Sequence, residues 1–254
     1  MKKTIFFSVV ASLFASPYSW GHFLAITPQN QVIENGAERT QDFDVYFTHP
    51  MTQGPIMAID KPEEIGYWRL GKKEILSENL KEISIEQQKA WSLKHQFRRP
   101  GTYTFYVNQK PYIEKSENIA IAQYAKVVMD TFAAGEEWAP QLNTPVEIIP
   151  LTRPFGLWTN SVFTGRVLKN GKPAAGVSVE VEYDNKSNVP IIKDAYAKHI
   201  TTTNAYGEFS VTLPKAGWWG IAALVEADEP IEIDGKSYPL EQAGVIWLQA
   251  VDFE

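Results

Sequence analysis

The 254-residue sequence contains no cysteine. That excludes disulfides, thiolate metal sites, thiol catalysis and a lipidated cysteine. A long apolar run is missing too. The stretch from Ile5 to Ala15 is interrupted by Ser8 and Ser12 and falls short of the ~20 residues that span a bilayer. Basic runs are absent, which argues against nucleic acid and anionic membrane surfaces as partners. The sequence also lacks a nucleophile elbow, a phosphate-binding glycine loop and a His-Glu-x-x-His helix, so the expectation is a protein that is not an enzyme. Histidine is scarce, at four residues.

What is present begins with a leader. Lys2 and Lys3 precede the short apolar run, and Ser19 and Gly21 are small residues at −3 and −1 of a cut before His22. This is the pattern of a secretory signal peptide at residues 1–21. Removing 21 of 254 residues leaves 233, in which 22 basic residues face 30 acidic ones, a formal charge of −8. The expected location is a periplasm, with no membrane span left after cleavage. Eight tryptophans, eleven tyrosines and thirteen phenylalanines can supply the core that disulfides do not.

Periodicity is mostly two. In "DFDVYFTH" Phe43, Val45, Phe47 and His49 share one face, and in "WSLKHQF" Trp91, Leu93, His95 and Phe97 do the same. Tyr103, Phe105 and Val107 alternate after a Pro-Gly turn. The polar stretch "GKKEILSENLKEISIEQQKA" reads as partly helical or as a loop with short strands, and β-branched residues tip 119–133 towards strand. Pro140, Pro145, Pro150 and Pro154 mark an extended junction. Beyond it, Asn170-Gly171 and Asp234-Gly235 read as hairpin turns between short strands. The expectation is an all-β protein of two β-sandwich domains, immunoglobulin-like or prealbumin-like, at 22–150 and 151–254. Of the adjacent Trp218 and Trp219, one ring should enter the core and the other cover the seam between domains.

A chain that starts at His22 offers two nitrogens on one residue, the α-amine and imidazole Nδ1. They close one chelate ring on a metal, and a second imidazole completes a nitrogen site suited to copper, nickel or cobalt. His49, at the end of its strand before Pro50, is the candidate second imidazole. His95 is either a third ligand or a core residue, and His199 reads as exposed. Glu114 and Glu117 are candidate outer ligands or solvated loop charge.

The segments "TGRVLKNGKPAAGVSVEV" and "TTTNAYGEFSVTLPKAGWWGIAAL" resemble carboxypeptidase-regulatory-like or Cna-B-like sandwiches. More widely, "FTHPMTQGPIM", "PGTYTFYV", "PYIEKSENIAIAQYAKVV" and "EIIPLTRPFGLW" resemble exported proteins of unknown function encoded beside nickel and cobalt transporters. That resemblance implies a periplasmic nickel- or cobalt-binding accessory that serves an inner-membrane uptake transporter, with His22 and His49 at the matching positions. Two other readings stay open: a copper enzyme or redox protein with an N-terminal histidine brace, and a metal-free structural or adhesive β protein.

Overall fold

The computed structural model describes residues 22–133 and 135–253. The leader expected at residues 1–21 lies outside them. The strands that build the molecule are β1 (Phe23–Thr27), β2 (Thr40–His49), β3 (Gly54–Met57), β4 (Glu64–Arg69), β5 (Lys81–Ile85), β6 (Gln88–Gln96), β7 (Gly101–Asn108) and β8 (Tyr112–Glu114). They continue as β9 (Ile119–Thr131), β10 (Val146–Pro150), β11 (Val162–Lys169), β12 (Ser178–Tyr183), β13 (His199–Thr202), β14 (Glu208–Thr212), β15 (Gly217–Glu226) and β16 (Leu240–Val251). The chain is all-β, as the period-two patterning predicts. The polar stretch after Gly71 resolves into short strands around one 3₁₀ turn, and 119–131 is strand throughout.

Alternation places the expected faces inward. Phe43, Val45 and Phe47 are buried on β2, as are Trp91 and Leu93 on β6 and Tyr103, Phe105 and Val107 on β7. Asn170 and Gly171 both take positive φ, 50° and 75°, the conformation that a two-residue hairpin turn with matching twist requires.

Three main sheets stack. A short sheet runs β1–β2–β6–β5, with β3 added to β2. A long sheet runs β13–β12–β15–β16–β9–β7–β4 and ends on a strand at 72–75. A third joins β10, β11 and β14. The long sheet is continuous across both halves of the chain because β9 and β16 pair in parallel, from Ala120 opposite Leu240 to Val127 opposite Trp247.

This continuity changes the domain picture. Trp218, Ala222, Ala243, Val245 and Trp247 belong to the core shared with the short sheet. Trp219, Ile221, Ala223, Val225, Ile246 and Leu248 belong to the core under the third sheet. So β15 and β16 are one wall common to two cores, and the adjacent tryptophans enter one core each rather than a core and a seam. The boundary expected at residues 150 and 151 also falls beyond β10, whose Val146 and Ile148 already sit in the second core. Two sandwiches are present, but they share their central sheet.

Side chains close the joints. Lys126 on β9 and Glu147 on β10 form an ion pair at 2.7 Å with both side chains almost fully buried. The Glu147 carboxylate also accepts from the backbone N–H groups of Leu142, at 3.0 Å, and Asn143, at 3.2 Å. Gln31 and Gln249 exchange side chain-to-backbone bonds, Gln31 N–H to Gln249 Oε1 at 3.2 Å and Gln249 N–H to Gln31 Oε1 at 3.0 Å.

A fragment spanning residues 151–254 should therefore fail to unfold cooperatively in a thermal melt followed by circular dichroism. It lacks β10 and leaves the Trp218–Trp247 face bare. In the whole chain, Lys126→Met should cost about 3–5 kcal/mol by chemical denaturation, because it strands the buried Glu147 carboxylate.

Candidate metal site

The β1–β2 register pairs Phe23 with Thr48 and Leu24 with Phe47. One step further out, His22 lies opposite His49. Directly opposed residues on an antiparallel pair point to the same face with their Cβ atoms about 4.5–5.5 Å apart. The two imidazole centroids are accordingly 4.2 Å apart, with the rings tilted by 44°.

Each ring is held by its own strand. All five residues of β1 are buried, which fixes the chain immediately after His22. Gln123 on β9, itself buried, clamps this start: its side-chain amide donates to the His22 carbonyl, and its Oε1 accepts from Leu24 N–H at 2.8 Å. On the other strand, His49 ends β2, and Gly54 at the head of β3 comes back opposite it. A Cβ on residue 54 would stand 2.7 Å from His49 Cδ2, so only glycine leaves room for this ring position.

The turn between them is anchored on the second sandwich. Asn185 donates its backbone N–H to the Pro50 carbonyl and its side-chain amide to the Met51 carbonyl, both at 3.0 Å. Met51 N–H donates to Glu182 Oε2 at 3.2 Å. Burial pushes the Glu182 carboxyl up to about 7.

Both imidazoles are poised as neutral donors. Burial, then the charge of His22 and Lys198, lowers the pKa of His49 to about 4. Burial also lowers that of His22, against an opposing pull from Glu114 and Glu117. Glu114 is held anionic by hydrogen bonds from the Ser116 hydroxyl, at 2.6 Å, and the Ser116 N–H, at 3.0 Å, with a smaller contribution from His22. The loop carboxylates named from the sequence therefore do bear on the pair, as negative field beside His22. A neutral imidazole presents a lone pair to a cation, and a nearby carboxylate favours the bound charge.

His95 does not join this pair. It sits opposite Gln41 on β6, eight residues along β2 from His49, or about 26 Å at strand rise. Its neighbours are the rings of Phe97 at 4.9 Å, Tyr67 at 5.2 Å and Phe105 at 5.2 Å. His199 is exposed on β13. Among the described residues, no three His, Cys, Asp or Glu side chains form a metal-binding group. The two residues that shape the site, Gln123 and Gly54, were not singled out in the sequence. The signal for Gln123 was a lone amide within the apolar run "IAIAQYAKVV".

Residues 19–227 match the model of a family described as "Domain of unknown function (DUF4198)", and the chain belongs to that family. No curated protein matches it. Among solved structures, dimeric latent PorU from Porphyromonas gingivalis aligns at 11% identity over 91% of this chain and 20% of that one, with a TM-score of 0.21. The chain thus spans about a fifth of PorU's length. An I-band fragment from titin aligns at 8% identity over 91% of this chain and 65% of that one, at a TM-score of 0.23. An Intimin fragment aligns at 13% identity over 88% of this chain and 99% of that one, at 0.20. Likenesses this slight assign no activity.

Two outcomes follow from the packing of the pair. In metal-free protein, His49 ring resonances should titrate with a midpoint near pH 4 rather than about 6.5. The folded state disfavours the charged ring, so this contribution to stability is present above about pH 6.5 and is lost as pH falls towards 4. Gly54→Ala should displace the His49 ring from His22 at a cost of about 1–3 kcal/mol, read as loss of the ring-to-ring nuclear Overhauser contact.

Proposed function

We propose that this DUF4198 member binds one divalent transition-metal ion through His22 and His49 in the periplasm and passes it to an inner-membrane uptake transporter. The observation that carries the reading is the opposed pair of neutral imidazoles, with ring centroids 4.2 Å apart, at the residue with which the chain is expected to begin after the leader is cut. With a cut before His22, its α-amine is a third nitrogen, beside the imidazole of the same residue. Two imidazoles and an amine form a donor set of the nickel, cobalt and copper type. Three nitrogens leave positions for water or for an incoming ligand, and an open coordination sphere exchanges metal faster than a closed one. Resemblance to exported proteins encoded beside nickel and cobalt transporters favours those two metals. Copper would compete at any such site on affinity alone.

A second reading is a metal-free structural or adhesive β protein. It is favoured by the lack, among the described residues, of a third side-chain donor beside the pair. The readings part on one residue. In the first, the terminal amine is a ligand; in the second, the chain end has no role.

Protein beginning at His22 should bind Ni²⁺ or Co²⁺ stoichiometrically by calorimetry. One glycine added ahead of His22 should weaken binding by about tenfold or more, with every side chain intact, and His49→Ala should do likewise. Equal affinity for the extended and unextended chains removes the amine from the site. An absence of binding to either supports the metal-free reading. Because the imidazole pKa values are lowered, the proton displaced near pH 7 should come from the amine, whose ordinary pKa is ~7.7–8.0. Affinity should therefore fall about tenfold per pH unit below 7.5, with close to one proton released per metal.

A further inference from the structure

The open end of the first sandwich, far from the histidine pair, carries a cleft of about 650 Å³. One wall comes from β4 and the hairpin strand at 72–75, the other from the end of β6 and the turn at 98–101. Arg69, Lys72, Arg98 and Arg99 line it, together with the rings of Tyr67 and His95. With Lys73 and Lys94, six basic side chains line the concavity against one carboxylate, Glu74, on a chain whose acidic residues outnumber its basic ones.

Local carboxylates do not neutralise the other four. Glu74 accepts the Tyr67 hydroxyl hydrogen, Glu64 pairs with Lys73 at 2.6 Å, and Asp42 lies 3.6 Å from Lys94. Among the described residues, none of Arg69, Lys72, Arg98 and Arg99 has a carboxylate within 4.0 Å. Arg69 is positioned in advance. Its Nη2 donates to the Pro100 carbonyl at 2.7 Å, and its guanidinium lies 5.1 Å over the Tyr103 ring. Its Nε is buried and has no partner, a donor that desolvation leaves costly until something accepts from it. Arg98 is braced through Nε to Gln96 Oε1 at 3.2 Å.

We infer that this cleft binds a small organic anion carrying two or more carboxylate or phosphate groups. Guanidinium forks match the planar or tripodal oxygens of those groups and can grip them with paired hydrogen bonds. The half-buried Tyr67 and His95 rings give the body of the ligand an apolar wall. The volume falls within the range of small-molecule sites, about 300–1,000 Å³. A long polyanion is disfavoured, because the acidic remainder of the surface would repel whatever extends beyond the cleft.

The test uses full-length mature protein, passed over chelating resin to remove metal, and calorimetry at physiological ionic strength with two probes. Citrate represents carboxylates and pyrophosphate represents phosphates. At least one should bind with a Kd below about 1 mM, and the tighter one assigns the anionic group. Arg98→Ala and Arg69→Lys should each weaken it by about tenfold, the second because a lysine keeps the charge but loses the fork. His49→Ala should leave it unchanged, so this result is independent of the metal reading. A folding defect in either arginine variant would show in its melting curve, and Arg99→Gln on the exposed rim then serves in its place. The proposal is overturned if neither probe binds, if binding survives the substitutions, or if heparin fragments alone bind.

Discussion

Everything in the molecule leans on β15 and β16 being apolar on both faces. A sheet strand usually hides one face and wets the other, and alternation in the sequence records that choice. Here Trp218 and Trp247 face one core while Trp219 and Leu248 face the other. The back wall of the first sandwich, begun by β4, β7 and β9, is completed by strands that lie more than 80 residues after its own last one. The second sandwich lacks its first strand unless the chain up to Pro150 is in place. Neither half closes its core without strands from the other, and the buried Lys126–Glu147 pair lies where the two meet.

The histidine pair inherits its precision from this arrangement. Its spacing is set by a register, and register is strongly specified where a strand alternates between a buried and a less buried face, as β2 does over Thr40–Val45. A slip of one residue between β1 and β2 would turn the His22 side chain to the opposite face. Gln123 and the buried run Phe23–Thr27 guard against the slip on one strand. Gly54 and the Asn185-anchored turn fix the other. A site that depends on a chain terminus is ordinarily the loosest part of a protein, since termini fray. In this case the terminus is expected next to five buried residues.

Much of this was legible in the sequence, and the parts that were not share a cause. Strand identity, the inward faces of β2, β6 and β7, and the Asn170-Gly171 turn all rest on local chemistry, which a linear reading captures. His22 and His49 were reachable for the same reason, one through the leader pattern and the other through alternation. The parallel pairing of β9 with β16 was not, because it joins residues about 120 apart and no local pattern encodes a partner. The shared wall depends on that pairing, and alternation alone does not show that Trp218 and Trp219 each have a core of their own. His95 shows the limit of face assignment: it lies on an apolar face as His49 does, yet β6 carries it to the far end of the sandwich.

The reciprocal bonds between Gln31 and Gln249 bear on how the chain acquires its shape. They tie the segment after β1 to β16 across 218 residues, and the Trp247 indole reaches the Leu24 carbonyl, at 2.9 Å, across 223. Contacts of such separation make folding slow, since the entropy of closing the loop is lost before any contact compensates it. β1 has its ladder partner in β2, but the bonds that finish its packing wait for Trp247 and Gln249. The short sheet, built wholly from residues 23–96, therefore meets part of its covering wall only when residues beyond 217 have been made.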